Sequence, residues 1–250
     1  MCTVTYIPKG NDEFILTHNR DESVRRAIAT PPITREINGL SHIFPVDPEG
    51  KGTWIGVSET NRVAGLMNGG LNKHKHNPPY RHSRGLVILS YFEFDSFNDF
   101  YNNYDFTGLE PFTLLVHEAG RLYELINDEQ FLRVKHLDPA KPHIYSSTPL
   151  YSKECMMKRR ERFFGWYNKV SVIKQPEIID LHRSFIFEKE DNRLPLNVII
   201  RTVSITSINK MATKAEVDYN DLINDVHLRK AIKFRKTAPV QKEENQVLKH

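Results

Sequence analysis

The chain has 250 residues, 39% of them hydrophobic and 26% charged, a composition typical of a soluble globular protein that can bury a substantial core. It contains no run of about 18 apolar residues that could span a bilayer, and its start lacks the basic and then apolar pattern of a secretory signal. The two cysteines, Cys2 and Cys155, are too few for a disulfide scaffold, so we expect free thiols and a cytoplasmic protein.

The formal net charge of +4 raises the question of a nucleic-acid partner. Basic residues are concentrated in residues 153–163 and near the C-terminus. In the first of these segments, apolar residues recur at helical spacing, which predicts that Lys158, Arg159 and Arg162 lie on a solvated helix face. No recognition-helix, zinc-finger or aromatic RNA-binding motif accompanies them, so we expect no nucleic-acid partner.

The first predicted element is an N-terminal β-hairpin. The β-rich runs CTVTYI and EFILTHN flank PKGND, which is dense in turn formers. If the turn centres just after Gly10, antiparallel pairing places Cys2 opposite Asn19. Arg20 and Asp21 then lie beside the cysteine, although a slip of one residue would exchange which of Asn19 and Arg20 shares its face.

Further hairpins are predicted downstream. The run GTWIGVSETNRVAGLMNGG contains two apolar strands around SETNR, and its return strand ends in Asn68 before two glycines that allow close backbone approach. PFTLLVHEAGRLYELIND is predicted to form another hairpin around Ala119 and Gly120, while FLRVKHL and HIYSST are short strands. Between these hairpins, SRGLVILSYF and DSFNDFYNNY are predicted helices.

Two more helices and a long strand follow. Apolar residues recur at helical spacing over residues 151–169 and 177–190, and NVIIRTVSITSI is a strand candidate. We find no internal repeat and no linker, so we expect one domain over residues 1–235 and a polar tail at 236–250. Hairpins, then helices, then further strands indicate an α+β fold of antiparallel sheets covered by helices.

The position of Cys2 suggests a nucleophile. Removal of Met1 would leave Cys2 with both a thiol and the chain's α-amine, which titrates at about 7.7–8.0 and can act as a base toward that thiol. Acyl transfer also needs a group that orients the amine, and donors for the oxyanion that develops on the attacked carbonyl. Asp21 suits the first need and Asn68 the second.

Each of these residues also has a purely structural interpretation. Arg20, Asp21 and Glu22 could form an ion-pair cluster at a strand end, and Asn68 before two glycines could be a turn residue. Trp54 is more typical of core packing than of substrate contact. The gathering of these residues by two hairpins is what favours a functional site.

Four motifs carry a family resemblance: MCTVTYIP, LTHNRDES, GTWIGVSETNRVAGLMN and RHSRG. They resemble the NRDE family, also called the transport-and-Golgi-organisation family, which is named after the tetrapeptide at residues 19–22. The match covers roughly residues 1–90. The family is in turn similar to N-terminal nucleophile hydrolases of the branch with bile-salt hydrolases and penicillin V acylase, which cleave non-peptide amides. This resemblance implies a four-layer αββα sandwich of two antiparallel sheets.

The resemblance also implies roles for individual residues. Cys2 matches the nucleophile, Asn68 the asparagine on the oxyanion side, and Asp21 the aspartate that would hold the α-amine. Arg20 matches an arginine that would lower the thiol pKa by its charge or bind an acidic substrate group.

Other positions match the hydrolases less completely. Ser147 stands nearest to a second asparagine of the hydrolases, and its hydroxyl would donate one hydrogen bond over a shorter reach. Arg201 corresponds to a late arginine of the hydrolases. Asn19, Glu22 and Trp54 are candidate binding residues beside these catalytic positions.

The stretch NKHKHNPPYRH places His74, His76 and His82 near Tyr80, in a loop that we expect close to Asn68. Imidazoles in a loop can bind a transition metal or haem iron. No carboxylate or cysteine completes a recognisable ligand set in this stretch, so we expect no metal site. We interpret the loop as a polar border of a pocket and its three histidines and tyrosine as candidate binding residues.

These observations support two hypotheses. The first is a cytoplasmic N-terminal cysteine amidohydrolase that cleaves a small-molecule amide or acyl bond without a cofactor. The alternative is a non-catalytic protein that binds or transfers haem or an acyl-lipid in the same pocket. Ser147 in place of asparagine, the histidine loop and the family's link to haem trafficking and lipid metabolism favour the alternative. Retention of Met1 would exclude the first hypothesis, and the sequence leaves substrate and oligomeric state open.

Overall fold

A computed structural model describes residues 2–23, 25–128, 131–186 and 199–235. At Cys2 it describes the backbone alone. The predicted tail at 236–250 lies outside the described residues. So do the last residues of the predicted helix at 177–190 and the first residues of the long predicted strand.

The described residues form thirteen strands and four helices. The first part of the chain contains β1 (Cys2–Gly10), β2 (Glu13–Ser23), β3 (Thr30–Ile37), β4 (Leu40–Val46), β5 (Ile55–Ser58), β6 (Val63–Asn68), α1 (Leu86–Glu93) and α2 (Phe97–Asn103). The second part contains β7 (Phe112–Glu118), β8 (Arg121–Asn127), β9 (Leu132–Leu137), β10 (His143–Ser146), α3 (Lys153–Tyr167), α4 (Gln175–Arg183), β11 (Ile200–Lys210), β12 (Lys214–Asp221) and β13 (Val226–Lys233). Every predicted hairpin and helix is present, although α4 ends at Arg183 and residues 184–186 of the helix predicted over 177–190 are not helical. The hairpins β3–β4 and β12–β13 have no counterpart in the sequence predictions.

The strands form two antiparallel sheets. The first sheet has the order β10-β1-β2-β11-β12-β13, and the second has the order β3-β4-β5-β6-β7-β8-β9. Both strands of the N-terminal hairpin are therefore interior strands of the first sheet, and the strand that carries Asn68 is an interior strand of the second.

Three groups of buried apolar side chains join these sheets and the helices into four layers. One group lies between the sheets and brings Val4 of the first sheet together with Ile55 of the second. A second group packs α1 and α2 on the outer face of the second sheet through residues such as Tyr91. A third packs α3 and α4 on the first sheet through Phe163 and Ile178. The predicted α+β fold, a four-layer αββα sandwich, is thus confirmed.

The helices are short, and three of the four described ones begin at a polar cap or at proline, whereas α1 follows Gly85 without a side-chain cap. Ser96 caps α2 by accepting a hydrogen bond from the Asp99 amide, and Ser152 caps α3 in the same way from the Cys155 amide. Proline occupies the first turn of α4, where its missing N–H costs no hydrogen bond. Within the described ranges, no helix has both the length and the apolar character needed to cross a membrane.

The N-terminal hairpin has a register one residue away from the predicted one. Cys2 pairs with Arg20, and Thr3 pairs with Asn19. The predicted pairing of Cys2 with Asn19 is therefore wrong.

The reason for this slip lies in the turn. Asn11 and Asp12 take positive φ angles of 53° and 62° as the central pair of the turn, one position later than predicted. Asparagine and aspartate tolerate left-handed backbone better than other residues with a Cβ. A turn centred one position later shifts the strand pairing by two residues. The bulge between Pro8 and Gly10 removes one of these, so the pairing beside Cys2 differs from the predicted one by a single residue.

Candidate functional site

Cys2 opens β1, an interior strand with β2 on one side and β10 on the other. The backbone of Cys2 pairs with Arg20, and on the other side Thr3 pairs with Ser146. β10 ends at Ser146, so Ser147 is the first residue beyond the strand on this side of β1. The start of β1 therefore pairs with Arg20 on one side and with the strand that leads into Ser147 on the other. Both residues are among those predicted to surround Cys2.

Ser147 connects the first sheet to the second through Asn68. The Ser147 side chain is buried, and its hydroxyl donates to the backbone carbonyl of Asn68 over 2.8 Å. A hydroxyl has a single proton to donate. That proton holds the backbone of Asn68, the half-buried last residue of β6.

Gly69 allows the chain segments around Asn68 and Ser147 to touch. Its φ is +94°, and a Cβ at this position would lie 2.3 Å from Pro149 Cδ and 2.4 Å from Thr148 Oγ1. Because both the backbone angle and the space exclude a side chain, only glycine fits here. The close backbone approach predicted after Asn68 is thus confirmed.

A cleft opens beside Asn68, with a volume of about 460 Å³ that includes the open space at its mouth. Its lining combines polar backbone, apolar side chains and one carboxylate, and consists of Met67, Asn68, Gly69, Gly70, Leu71, Thr113, Glu124, Ile126, Tyr145, Ser146, Ser147 and Thr148. We call it the Asn68 cleft. Among the described residues that line it there is no lysine or arginine, so it suits a neutral or cationic group.

Arg20 is buried on the face of β2 that contacts the second sheet. Its side chain is 5% exposed, and Nη2 lies 3.3 Å from Asp47 Oδ2 and 3.8 Å from Glu22 Oε2. The guanidinium carbon is 4.8 Å from the centre of the Trp54 ring, which itself belongs to the core between the sheets. Trp54 thus packs in the core, as its structural interpretation predicts, and also supports Arg20.

The negative charge beside Arg20 is shared with a second arginine. Arg26 Nη2 lies 2.7 Å from Asp47 Oδ2 and Nε donates to the same carboxylate. Burial by itself would raise the pKa of Asp47, but the hydrogen bonds from Arg26 and the charges of both arginines hold it below its usual value. Because Arg26 takes these hydrogen bonds, Arg20 Nη2 is left without one among the described residues.

A second cleft opens on this side of β2, and we call it the arginine cleft. It has a volume of about 390 Å³ and is lined by Arg20, Glu22, Ser23, Arg26, Ala27, Ile28, Ala29, Arg201, Val203, Tyr219, Asp221 and Ile223. The backbone of Arg201 pairs with Glu22, and its side chain is exposed. The structure therefore groups Arg201 with Arg20 and Glu22 and does not place it in the Asn68 cleft.

Asp21 lies on the opposite face of β2, under α3. The carboxylate is fully buried and accepts hydrogen bonds from the hydroxyls of Tyr151 and Thr202. Burial raises the pKa of Asp21, while the two hydroxyl donors and the positive charge of Arg159 oppose this rise. Arg20 and Asp21, adjacent in sequence, thus act on different layers of the molecule.

Asn19 shares this face with Asp21 and fixes α4 on the sheet. His182 Nδ1 donates to Asn19 Oδ1 over 2.7 Å, and the Thr5 hydroxyl donates to His182 Nε2 over 2.7 Å. Burial lowers the pKa of His182 to about 3, so the imidazole is neutral. The hydrogen bonds from Thr5 to His182 and from His182 to Asn19 have the connectivity of a hydrolytic triad. All three side chains are fully buried, however, so this arrangement docks a helix.

The predicted histidine loop is anchored by a carboxylate from another part of the chain. His74 Nε2 and His76 Nδ1 each lie 3.2 Å from Glu110 Oε1, and Arg84 Nη2 lies 2.9 Å from Glu110 Oε2. Although burial raises it, the pKa of Glu110 is held below its usual value by the charge of Arg84 and by the two imidazoles. In the part of the chain that the structure describes, no group of three or more His, Cys, Asp or Glu side chains could hold a metal ion.

His82 and Tyr80 occupy other positions in this loop. His82 Nδ1 donates to the Ser83 carbonyl over 2.8 Å, and the ring's Nε2 lies 2.8 Å from the Tyr104 hydroxyl. The Tyr80 hydroxyl accepts from the Asn77 amide over 2.8 Å. His74 and His76 are thus brought together, whereas His82 is directed toward α2.

Tyr151, Thr202 and Arg159 are site residues that the sequence analysis missed. Arg159, predicted on a solvated helix face with Lys158 and Arg162, is in fact buried. It donates to Thr3 Oγ1 over 2.5 Å, so its charge is directed at the first sheet. Helical spacing could have distinguished Arg159 from the exposed Lys158 and Arg162. Arg159 lies four residues before Phe163, so both side chains lie on the buried face of α3.

The fold is similar to that of several solved structures. The architecture matches conjugated bile acid hydrolase from Clostridium perfringens, with a TM-score of 0.56 and 9% identity over 97% of this chain and 99% of that one. A second variant of the same enzyme gives 0.56 and 9% over 96% and 99%. A Caenorhabditis elegans orthologue of N-acylethanolamine-hydrolyzing acid amidase gives 0.56 and 10% over 83% and 92%. The fold is therefore that of the N-terminal nucleophile hydrolases.

The sequence narrows this class to one family. The sequence profile of the family described as transport and Golgi organisation 2 matches residues 1–217. The chain belongs to that family, which is the NRDE family predicted from the motifs. No curated protein matches the sequence.

Proposed function

We propose that the protein is an N-terminal cysteine amidohydrolase in which Cys2, freed by removal of Met1, attacks a non-peptide amide or related acyl bond. The observation that carries the proposal is the register of β1. It pairs Cys2 with Arg20 and pairs Thr3 with Ser146, which precedes the serine that donates to the Asn68 carbonyl. The hydrolase-like fold supports the same reaction class.

The proposed reaction has two stages. The α-amine of Cys2 takes the thiol proton, and Sγ forms a bond to the substrate carbonyl carbon while the carbonyl oxygen becomes an oxyanion. Collapse of this intermediate breaks the C–N bond, and the leaving amine takes the proton back from the α-ammonium. Water then attacks the thioester, with the α-amine again as the base. This releases the acid and restores the thiol.

The neighbouring side chains have separate roles in this proposal. The Asn68 side-chain amide donates to the oxyanion, and Ser147 fixes Asn68 because its one proton goes to the Asn68 carbonyl. Asp21 orients the α-amine from the α3 side. Arg20 has an unused donor at Nη2 and a positive charge, both of which favour the thiolate over the thiol.

The linings of the two clefts indicate which substrate groups each of them suits. The Asn68 cleft contains apolar Met67, Leu71 and Ile126 beside its polar backbone, so it suits an uncharged acyl or amine portion. The arginine cleft is available for an acidic substrate group. The proposal takes residues 1–235 as one domain working in a reducing compartment such as the cytoplasm, where a free thiol persists.

A second candidate function is binding or transfer of an acyl-lipid or haem without catalysis. The apolar part of the Asn68 cleft favours it, as does the use of the Ser147 proton by the Asn68 backbone. The nearby His74 and His76 would be the residues to contact haem iron, at the expense of their contacts with Glu110.

Intact mass spectrometry of the purified protein, before and after exposure to thiol-directed acyl and amide probes, tests the first proposal. We expect loss of Met1 and a single adduct at Cys2, which is absent from Cys2→Ala and suppressed in Asp21→Ala. Cys155→Ser is the matched control, since it removes the other thiol and should leave labelling unchanged. Retained Met1 with an inert Cys2 would contradict hydrolysis.

Haem titration and native mass spectrometry test the second candidate. A shift of the haem Soret band that is lost in the double variant His74→Ala and His76→Ala would support haem binding. Acyl-lipid retained through native purification would support lipid binding. If the wild-type protein shows no Soret shift and retains no acyl-lipid, a carrier role is contradicted.

A further inference from the structure

A single turn connects the two halves of the proposed active site. Residues 147–151, here called the site turn, follow β10 and precede α3. The amides of Leu150 and Tyr151 both donate to the carbonyl of Ser147, over 3.2 and 3.0 Å. The turn therefore closes like one turn of a helix and fixes the distance between its ends.

The first end of the site turn holds the Asn68 side of the site. Ser147 Oγ donates to the Asn68 carbonyl over 2.8 Å, and Thr148 Oγ1 donates to the Gly70 carbonyl over 3.1 Å. Gly69 lies between these two contacts and has no space for a Cβ. The backbone of the second sheet thus contacts the site turn directly.

The other end of the site turn holds the Asp21 side. The Tyr151 hydroxyl donates to Asp21 Oδ2. The guanidinium carbon of Arg159 lies 3.7 Å from the centre of the Tyr151 ring, and Arg159 also donates to the Phe185 carbonyl over 2.9 Å. Through its bond to Thr3 Oγ1, the same arginine reaches the residue that follows Cys2. Tyr151 is therefore held firmly between α3 and β2.

Asp21 depends on these donors because it is fully buried. Burial raises the pKa of Asp21, and each hydroxyl that donates to the carboxylate opposes this rise by stabilising the charged form. Burial and the negative charge of Asp21 also raise the pKa of Tyr151 well above its ordinary value. The tyrosine accordingly keeps its proton and remains a donor throughout the physiological range.

We infer that Tyr151 is a positioning residue that keeps the Asp21 carboxylate ionised and directed at the α-amine of Cys2, and that the site turn aligns this carboxylate with Asn68. The inference rests on the proposed function, because Asp21 has an amine to hold only after Met1 is removed. It adds a residue, Tyr151, whose hydroxyl acts on the reaction through Asp21 and not by contact with the substrate.

The first test compares Tyr151→Phe with Tyr167→Phe. Both changes remove one hydroxyl from the same helical region, but the Tyr167 ring stacks on Phe163 at 6.3 Å, away from Asp21. The pKa of Asp21 is measured by carboxyl ¹³C NMR and assigned with Asp21→Asn. We expect an increase of about one pH unit or more in Tyr151→Phe, because a stabilising donor is lost, and no change in Tyr167→Phe. An unchanged Asp21 titration in Tyr151→Phe would overturn the inference.

The second test follows the α-amine of Cys2 itself in protein labelled with [¹⁵N]cysteine. An ionised Asp21 beside the amine raises the amine pKa, so Tyr151→Phe should lower it. Acylation of Cys2 should also slow, because the amine is less well oriented toward the thiol. Arg159→Lys provides a second variant if Tyr151→Phe does not fold, because it removes the planar stack and leaves both hydroxyl donors. We expect a shift of Asp21 in the same direction but smaller, and no shift would count against the inference.

The two proposals fail in different ways. If Met1 is retained, no α-amine of Cys2 titrates and hydrolysis is excluded, while the Asp21 titration still reports on Tyr151. If Cys2 carries a free amine and reacts, but Tyr151→Phe titrates like the wild-type protein, the positioning role is overturned and the proposed function stands.

Discussion

Two buried cations of the first sheet, Arg20 and Lys210, differ in how completely their hydrogen bonds are satisfied. Their side chains are 5% and 1% exposed. Lys210 Nζ donates to both the carbonyl and the carboxylate of Asp12, each over 2.5 Å. Arg20 Nη2 makes no hydrogen bond within the described residues and depends on its ion pair with Asp47 at 3.3 Å.

This difference separates a structural cation from one that can serve a ligand. Lys210 and the His117 ring, 2.9 Å from Asp12 Oδ1, converge on the β1–β2 turn and close the end of β1 opposite Cys2. Arg20 lies beside Cys2, where Asp47 is already bonded to Arg26. A fully bonded buried ion pair has nothing to offer a ligand, whereas a partly bonded one retains a donor.

The largest expected effect is that of Lys210→Met. The change leaves the Asp12 carboxylate with His117 alone, and removing one partner of a buried pair is strongly destabilising. Because Asp12 is 39% exposed and can recover some hydration, we expect a loss of about 2–3 kcal/mol in the free energy of unfolding. Urea denaturation measures it. Lys9→Met, at an exposed lysine 3.8 Å from Glu13, should stay within about 0.5 kcal/mol of wild type.

Arg20→Met should have a smaller effect on stability. Asp47 keeps its hydrogen bonds to Arg26, so no carboxylate is left without a partner, and the methionine can still pack on Trp54. We expect a loss of about 1 kcal/mol in the same urea experiment. Labelling of Cys2 by a thiol probe should nevertheless slow at neutral pH, because the thiolate loses a neighbouring positive charge. Equal losses in the two variants would mean that Arg20 and Lys210 do not differ in how completely they are bonded.

Local sequence patterns predicted the hairpins that carry the site but missed two others. The β3–β4 hairpin turns at Asn38 and Gly39, with φ angles of 50° and 73°, which is a strong hairpin signal. It was obscured because Pro31 and Pro32, at the start of β3, are disfavoured inside strands. β13 is largely exposed and rich in charge, so it lacks the alternating apolar pattern that identified the other strands.

Contacts between residues far apart in the sequence could not be predicted from local patterns. The motifs pointed to Asp21 and Asn68, yet the two residues that donate to Asp21, Tyr151 and Thr202, are 130 and 181 positions away in sequence. Likewise, Glu110 lies outside the histidine stretch, and its approach to His74 and His76 depends on the packing of the second sheet. Spacing identifies residues on one element, whereas partners from separate elements are determined by tertiary packing.

The smallest expected effect is on the pH dependence of the Asp12 cluster. Burial tends to raise the pKa of Asp12, but the contact with the His117 ring and the hydrogen bonds from Lys210 lower it from 3.8 to about 2. A lowered pKa in the folded state means that the ionised carboxylate stabilises the protein fully above pH 3.8. This stabilisation is lost as the pH falls toward 2.

Asp12→Asn isolates that contribution from the other carboxylates that titrate in the same range. The free-energy difference between wild type and Asp12→Asn, measured by urea denaturation, should be constant above about pH 5 and should shrink by about 1 kcal/mol by pH 2.5. The exposure of Asp12 keeps this figure below the full linkage value, because solvent screens part of each interaction. A difference that does not change with pH would mean that Asp12 gains nothing from Lys210 in its ionised form. In that case the far end of β1 would be held by packing, and the hydrogen bonds of Lys210 would not set it apart from Arg20.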